Sequence, residues 1–155
     1  LWQFAPTKKF DADDFGAFLA LLPEKQNGIR LRHVVEVRNP TFQVPEFIDL
    51  LARHKVAVVC ADHHDYPMLP DVTADFVYCR LQKGEDDIAT CYPKAEIGHW
   101  AEWVKTYAAG GVPDDLPLIA PDRKAEKTPR DVFAFFITGG KVNAPNGAQE
   151  LQKAV

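Results

Sequence analysis

Charged side chains at the ends of three apolar segments are the residues of this sequence best suited to chemistry. Glu36 and Arg38 end the first segment, and residues two apart in a strand lie on the same face. Asp62 ends the second segment, and Tyr78 and Arg80 share a face in the third. Charges on buried strands are costly unless they are paired or bind a ligand. We therefore predict a ligand site where these strand ends meet.

Two interpretations of these charges stay open. In the first, arginines and carboxylates form salt bridges with one another. In the second, the arginines bind an anionic group, best a phosphate or a carboxylate, while the carboxylates orient them. A general base or metal ligand (Glu36 or Asp62) and a hydrogen-bond donor (Tyr78) would then complete an active site. The catalytic candidates are Glu36, Asp62 and Tyr78, and the substrate-binding candidates are Gln3, Arg38 and Arg80.

The loop Asp62-His63-His64-Asp65 combines residue types that bind zinc or manganese. Adjacent residues of an extended segment point in opposite directions, so four neighbours do not easily reach one ion. A polar loop is therefore favoured over a metal site. A divalent cation is the one cofactor considered, and the cofactor stays unknown.

Few side chains could act as nucleophiles, because the chain contains three cysteines and no serine. Cys60 is expected to be buried and inert, Cys79 to face the helices, and Cys91 to lie in an exposed loop with no activating neighbour. Three cysteines without a CxxC pair predict free thiols in a reducing, cytoplasmic compartment.

The elements that position these residues alternate between strands and helices. Strands are predicted over 1–4, 33–38, 56–61, 76–81 and 132–137, and helices over 11–22, 45–54, 94–109 and 148–154. Asn27-Gly28 predicts a turn, Gly139-Gly140 ends the last strand, and residues 112–131 are expected to form an irregular, exposed insertion. Such alternation predicts a parallel sheet with crossover helices. An open doubly wound sheet and part of a (β/α)8 barrel both fit, although no glycine-rich phosphate loop follows any strand.

Composition limits the remaining classes. The 155 residues fit a single domain over 1–155, and 46% hydrophobic with 26% charged residues is typical of soluble globular proteins. A net charge of −4 argues against a generally basic nucleic-acid-binding surface but leaves room for a local basic patch. Neither a membrane-spanning segment nor a signal peptide is predicted. Because the chain opens on Leu1 and its only methionine is Met68, we expect a piece of a longer protein.

Several of these segments together resemble the YecE-like family, catalogued as domain of unknown function seventy-two. The segments are Glu36-Val37-Arg38-Asn39-Pro40, Ala61-Asp62, and Val-Thr-Ala-Asp-Phe-Val-Tyr-Cys-Arg-Leu over 72–81. The opening Gln-Phe-Ala-Pro-Thr over 3–7 and the closing Asn-Ala-Pro-Asn-Gly-Ala over 143–148 are also similar to family segments. The resemblance covers nearly the whole chain.

The resemblance implies a (β/α)8 TIM-type barrel that is longer than this chain, which would supply its C-terminal part of about five strands. Five strands do not close such a barrel, so an open half-barrel is expected, completed by the missing front, by a second copy or by rearrangement. Its C-terminal mouth would collect the six candidates given above. The family's function is not established, and the likeness of its barrel to sugar isomerases and abasic-site endonucleases is an analogy of folds.

Two positions depart from the family pattern. A leucine-histidine-glycine run commonly follows the arginine of the third segment, whereas Leu81-Gln82-Lys83-Gly84 stands here. The last strand usually ends in phenylalanine-asparagine, whereas Phe136-Ile137-Thr138 stands here. An activity that depends on that histidine or asparagine would be lost or altered, because a lysine does not transfer protons near neutral pH.

Two functions follow as hypotheses. The first is an enzyme of hydrolase or isomerase type acting on a phosphorylated or other anionic substrate, such as a sugar phosphate or a nucleic-acid fragment. The second is a non-catalytic protein that binds an anionic ligand in the same pocket. A small anionic ligand is the expected partner, no membrane is expected, and an oligomer is expected if the chain is a true half-barrel.

Overall fold

The core of the fold is a five-stranded parallel sheet in a computed structural model that describes residues 1–137 and 142–155. The strands are β1 (Trp2–Gln3), β4 (Val34–Glu36), β5 (Ala57–Asp62), β6 (Phe76–Leu81) and β7 (Asp131–Phe136), in that order across the sheet. Neighbouring strands are all parallel. The α/β class with a parallel sheet is therefore confirmed, and the described residues do not form a closed barrel. The predicted strand end at Gly139-Gly140 lies outside the described residues.

Four helices follow the strands. They are α1 (Ala12–Ala20), α2 (Pro45–Arg53), α3 (Lys94–Ala108) and α4 (Ala144–Ala154). Asp11 caps α1, because its side chain accepts a hydrogen bond from the Asp14 N–H, and Pro45 occupies the first turn of α2. A 3-10 turn at Pro40–Phe42 precedes α2. No helix among the described residues is both long enough and apolar enough to cross a membrane.

The helices pack on one face of the sheet. Val35 and Val58 meet α1 and α2 in one cluster, while Cys60, Cys79 and Leu81 meet α3 and α4 in another. The opposite face, called the inner face below, carries Val34, Ala57, Val59, Ala61, Phe76, Tyr78 and Phe133. No helical residue belongs to the inner-face cluster as described. Parallel sheets are normally covered by helices on both faces. This face lacks a helix layer, although Val34, Ala57, Val59, Ala61 and Phe76 on it are no more than 4% exposed.

The end of α2 sets the position of Lys55. The N–H of Lys55 donates to the Ala52 carbonyl and the N–H of Val56 to the Leu51 carbonyl, which is the pairing of a Schellman motif. Lys55 adopts a φ of 54°, the left-handed conformation in which glycine is the usual residue. The C-terminal turn of α2 thereby places Lys55 two residues before the start of β5.

Three expectations need correction. The turn at Asn27-Gly28 joins two short antiparallel strands, β2 (Lys25–Gln26) and β3 (Ile29–Arg30), which were not predicted. Cys91 is fully buried, and burial raises the pKa of its thiol. Residues 112–131 are irregular as predicted, but Leu116, Ala120 and Arg130 within them are buried.

Hydrogen bonds to buried charged side chains hold this irregular segment. The Asp71 carboxylate accepts the N–H groups of Ile119 and Ala120, each at 2.9 Å. The Arg130 guanidinium donates to the Gly110, Gly111 and Glu126 carbonyls. These hydrogen bonds, rather than a periodic apolar face, attach the segment to the rest of the protein.

Candidate functional site

Glu36 joins two arginines at the C-terminal ends of the strands. The Arg38 Nε donates to Glu36 Oε1 at 2.9 Å, and the Arg80 Nη1 forms an ion pair with Glu36 Oε2. The same Nη1 donates to Gln3 Oε1 at 3.1 Å. We call these four residues, Gln3, Glu36, Arg38 and Arg80, the Glu36 cluster.

Strand register explains how the cluster assembles. Gln3 on β1 lies opposite Glu36 on β4, so both side chains leave the same face. Arg80 lies on β6, and β5 runs between it and Glu36. Its register partner on β5 is Ala61, whose methyl group leaves the guanidinium room to reach Glu36. The inner face of the sheet therefore builds the cluster from three strands.

The charged centre of the cluster is largely buried and carries excess positive charge, whereas Gln3 at its edge is exposed. Glu36 is 1% exposed and Arg80 is 9% exposed, while the Arg38 side chain is 18% exposed. One carboxylate faces two guanidinium groups. The buried Nε of Arg80 has no hydrogen-bond partner among the described residues. A buried donor without a partner and an uncompensated charge are both costly, and an anionic ligand would satisfy both.

Aromatic rings border the cluster. The Arg38 guanidinium lies 4.7 Å from the centre of the Tyr66 ring, a cation–π contact, and the His63 ring stacks on the same tyrosine at 3.9 Å. The Tyr78 ring stacks on Phe135 at 4.8 Å. The Tyr66 ring therefore packs on Arg38, and Phe135 lies beside Arg80 as its register partner on β7.

Tyr78 lies close enough to the cluster to respond to its charges. Burial is the main factor that raises the pKa of the phenol; Glu36 raises it further and Arg80 lowers it. The hydroxyl therefore keeps its proton near neutral pH and can donate a hydrogen bond to an anion. The predicted position of Tyr78 on the same face as Arg80 agrees with this coupling.

The structure places Asp62 on the opposite face, away from the other five candidates. Asp62 shares a face with Cys60, as alternation requires, but that face meets the helices. Its Oδ2 accepts a hydrogen bond from the Tyr92 hydroxyl at 2.9 Å, and its Oδ1 lies 2.8 Å from the Lys83 Nζ. The Lys83 N–H in turn donates to the Tyr92 oxygen. Burial and the nearby carboxylate raise the pKa of Tyr92.

The Asp62–Asp65 loop does not gather its side chains around one point. Asp62 is engaged with Tyr92 and Lys83, whereas the His63 Nδ1 accepts the Asp65 N–H and its ring stacks on Tyr66. Within the described parts of the chain, three or more His, Cys, Asp or Glu side chains nowhere meet in a metal-binding arrangement.

Tyr66 and Tyr92 were missed by the sequence analysis. Tyr66 lies in a loop, and nothing in the local pattern shows that Arg38 folds back onto its ring. Tyr92 follows Cys91, which was expected to be exposed, so its contact with Asp62 had no local signal. Lys83, considered only as a substitute for a family histidine, instead pairs with Asp62.

The fold and site define an α/β protein with a parallel sheet and an arginine–glutamate cluster at the strand ends. The chain belongs to the family described as "Protein of unknown function DUF72", whose model matches residues 1–155. The resemblance to the YecE-like family is thereby confirmed, since the two names denote one family. No curated protein matches the chain significantly.

Two solved structures are similar to the chain. A DUF72 family protein of Enterococcus faecalis V583 matches with a TM-score of 0.65 at 18% identity, over 97% of this chain and 58% of its own. A DUF72 family protein of Thermotoga maritima MSB8 matches with a TM-score of 0.62 at 16% identity, over 97% of this chain and 54% of its own. The chain thus spans little more than half the length of these relatives, and at such identities the likeness concerns the fold alone.

Proposed function

We propose that the Glu36 cluster binds the anionic group of a small ligand, a phosphate or a carboxylate. The observation that carries this proposal is the charge balance: two arginines meet one buried carboxylate, and the Arg80 Nε has no partner among the described residues. Guanidinium groups bind phosphate and carboxylate oxygens through paired, charge-assisted hydrogen bonds. An anion beside the two arginines would balance the charge and take up the free donor.

Each residue has a distinct role in this proposal. Arg38 and Arg80 touch the anion, and the Tyr78 hydroxyl donates a further hydrogen bond. Glu36 is a positioning residue that holds both guanidinium groups, and Gln3 fixes Arg80 from β1. Tyr66 holds Arg38 through the cation–π contact with its ring.

Ligand binding has stronger support than catalysis. Both Glu36 oxygens are engaged by arginines, and Asp62, the other proposed base, lies on the helix-facing side. An enzyme of hydrolase or isomerase type acting on a sugar phosphate or a nucleic-acid fragment is therefore the second candidate. It would use Tyr78 as proton donor and would need a base other than Asp62.

We also infer that the sheet is the C-terminal part of a (β/α)8 barrel. Five parallel strands, helices on one face and an inner face that no described helix covers support this inference. The greater length of the two similar structures supports it as well. The cluster would then lie at the C-terminal mouth, where such barrels carry their active sites. If the chain is instead a true half-barrel, a second copy would cover the inner face and the protein would be an oligomer.

A reducing, cytoplasmic location completes the proposal. The three cysteines are buried and form no disulfide, and Cys60 and Cys79 are register partners on β5 and β6 that remain thiols. Unoxidised neighbouring thiols are usual in reducing compartments.

Calorimetric titration with inorganic phosphate and with citrate tests the anion site. We expect Arg38→Ala and Arg80→Ala each to weaken binding about tenfold or more, since each removes charge-assisted hydrogen bonds. Arg80→Lys keeps the charge, so it separates lost binding from misfolding caused by leaving Glu36 unpaired. Lys153→Ala, on the exposed face of α4, is the control and should bind as the unaltered chain does. Unchanged affinity in the Arg38 and Arg80 variants would refute the proposal.

A further inference from the structure

The N-terminal end of the sheet, opposite the Glu36 cluster, has two adjoining pockets. The first, of about 310 Å³, lies before β6 and β7 and is lined in part by Thr73, Asp75 and Arg130. The second, of about 580 Å³, lies beside the β2–β3 hairpin and the end of α2. Arg30 and Lys55 line both pockets, so the two cavities meet at these side chains.

Both pockets are rich in cations although the chain has a net charge of −4. The first is lined by four basic residues and two acidic ones: Arg30, Lys55, Arg123 and Arg130 against Asp75 and Glu126. The second is lined by four basic residues and one acidic one: Lys25, Arg30, Arg53 and Lys55 against Glu24. This end of the molecule is therefore a local basic region on an acidic protein, which favours anionic ligands.

Two of these six cations are paired with carboxylates. Arg30 pairs with Asp75 at 3.1 Å, and the Arg123 Nε lies 3.8 Å from Asp49 Oδ1. Lys55, Arg53 and Lys25 have no ion-pair partner in the described parts of the chain. The buried Arg130 guanidinium bonds only backbone carbonyls. Burial lowers the pKa of Arg130, as expected where no carboxylate stabilises the charge.

We propose that this end of the sheet is a second anion site, which binds a phosphate-bearing small molecule at the junction between Arg30 and Lys55. Arginine supplies a planar fork for phosphate oxygens and lysine a mobile point charge, which is a common pairing for phosphate groups. The pocket volumes lie in the range for small-molecule ligands, and the cavities on either side of the junction offer room for the rest of the molecule.

The site is separate from the Glu36 cluster. Asp75 immediately precedes β6, and Arg80 lies five residues further along the chain. At about 3.3 Å per residue the two positions are roughly 16 Å apart, beyond the reach of one phosphate group. Loss of one site should therefore leave the other intact.

Pyrophosphate titration of the full chain at low salt, followed by amide NMR and calorimetry, tests the proposal. We expect shifts at Lys55, Val56, Thr73 and Ala74, and about tenfold weaker binding in the double variant Arg30→Gln/Lys55→Gln, because two charge-assisted contacts are lost. Asp75→Asn removes the carboxylate that competes for Arg30 and should tighten binding. Lys9→Gln/Lys153→Gln makes the same charge change on exposed side chains elsewhere and is the matched control.

The outcomes separate the two sites. Pyrophosphate bound at the Glu36 cluster would shift the amide signals of nearby residues such as Asn39 and Gln82. In Arg38→Ala these shifts should disappear, while the shifts at Lys55 and Ala74 should persist. Shifts confined to the Glu36 cluster would overturn the second site and leave the first. Equal weakening by the control double variant would show a non-specific charge effect and would also overturn it, as would unchanged affinity in Arg30→Gln/Lys55→Gln.

Discussion

At the scale of single residues, Glu36 matters because one buried carboxylate holds two guanidinium groups, one buried and one partly buried. Its oxygens bind Arg38 and Arg80 separately, so neither arginine can leave without exposing an unpaired charge. A pair of this kind contributes little net stability compared with apolar residues, but the removal of one partner is expensive. The cluster is therefore sensitive to substitution whether or not a ligand is bound.

Glu36→Gln should lower the free energy of unfolding by about 3 kcal/mol, because a neutral amide leaves two partly buried guanidinium groups uncompensated. Urea unfolding followed by circular dichroism measures the change. The matched control is Glu85→Gln, an exposed glutamate whose side chain makes no hydrogen bond or ion pair with the described residues, and it should change stability by no more than about 0.5 kcal/mol. A loss below about 1 kcal/mol for Glu36→Gln would show that the cluster is more hydrated than its burial indicates.

The six candidate residues show what sequence can and cannot predict at this scale. Alternation within a strand correctly paired Glu36 with Arg38 and Tyr78 with Arg80. It also paired Asp62 with Cys60, but it does not say which face of β5 points inward. Residues 56–61 are apolar on both faces, so only the register against β4 decides, and register depends on contacts between distant segments.

At the scale of elements, two helical glycines distinguish a tight contact from an open one. Gly147 in α4 lies against β7 and the loop before α3: a Cβ there would be 2.5 Å from the Thr90 carbonyl oxygen and 2.9 Å from the Phe136 ring. Gly98 in α3 has nothing within 4 Å of the same position. The close approach of α4 thus depends on a missing side chain.

Gly147→Ala should destabilise the protein by about 1–3 kcal/mol through overpacking. Gly98→Ala, the matched change in an open position, should stabilise it by about 0.5–1 kcal/mol because alanine favours the helix. Thermal unfolding of both variants measures the difference. Equal effects in the two variants would contradict the contact between α4 and Thr90.

Elements with strong local patterns were predicted well, and those without were not. The four helices and five sheet strands follow from apolar spacing, proline and capping residues. The β2 and β3 strands are only two residues long and have one apolar residue between them, Ile29, so they carry no such pattern. Residues 112–131 were expected to be exposed because their apolar residues lack periodicity. The Asp71 and Arg130 side chains nevertheless anchor this segment through hydrogen bonds to the backbone. Backbone hydrogen bonds do not depend on a periodic sequence pattern, so the pattern could not predict them.

At the scale of the whole molecule, buried acidic groups link stability to alkaline pH. A hydrogen bond with Cys79 and burial raise the pKa of Cys60, and burial raises the pKa of Cys91, Tyr78, Tyr92 and Tyr107. A raised pKa means that the folded state holds the proton more tightly. The unfolded chain therefore loses its protons first as the pH rises, which favours unfolding.

We expect the free energy of unfolding to be constant below about pH 8 and to fall by about 2–4 kcal/mol between pH 8 and pH 10. Each buried thiol or phenol can lower it by up to about 1.4 kcal/mol per pH unit once its unfolded form loses the proton. Urea unfolding at several pH values measures it, and tyrosinate absorbance should rise together with unfolding. Cys60→Ala should flatten the slope without abolishing it. Constant stability from pH 8 to pH 10 would contradict the burial of these groups.

The architecture as a whole followed from alternation of strands and helices together with family resemblance. Pattern alone left an open doubly wound sheet and part of a barrel equally acceptable. The placement of all four helices against one face favours the second, and that placement is a global property which no local segment encodes.

The left-handed backbone of Lys55 has a consequence for protein engineering. A search for stabilising substitutions would choose Lys55→Gly early, because glycine adopts this conformation without strain and completes the Schellman motif. The same substitution would remove one of the two cations, Arg30 and Lys55, that line both basic pockets. A variant selected for thermal stability in this way would gain stability while losing half of the cation pair of the proposed second site.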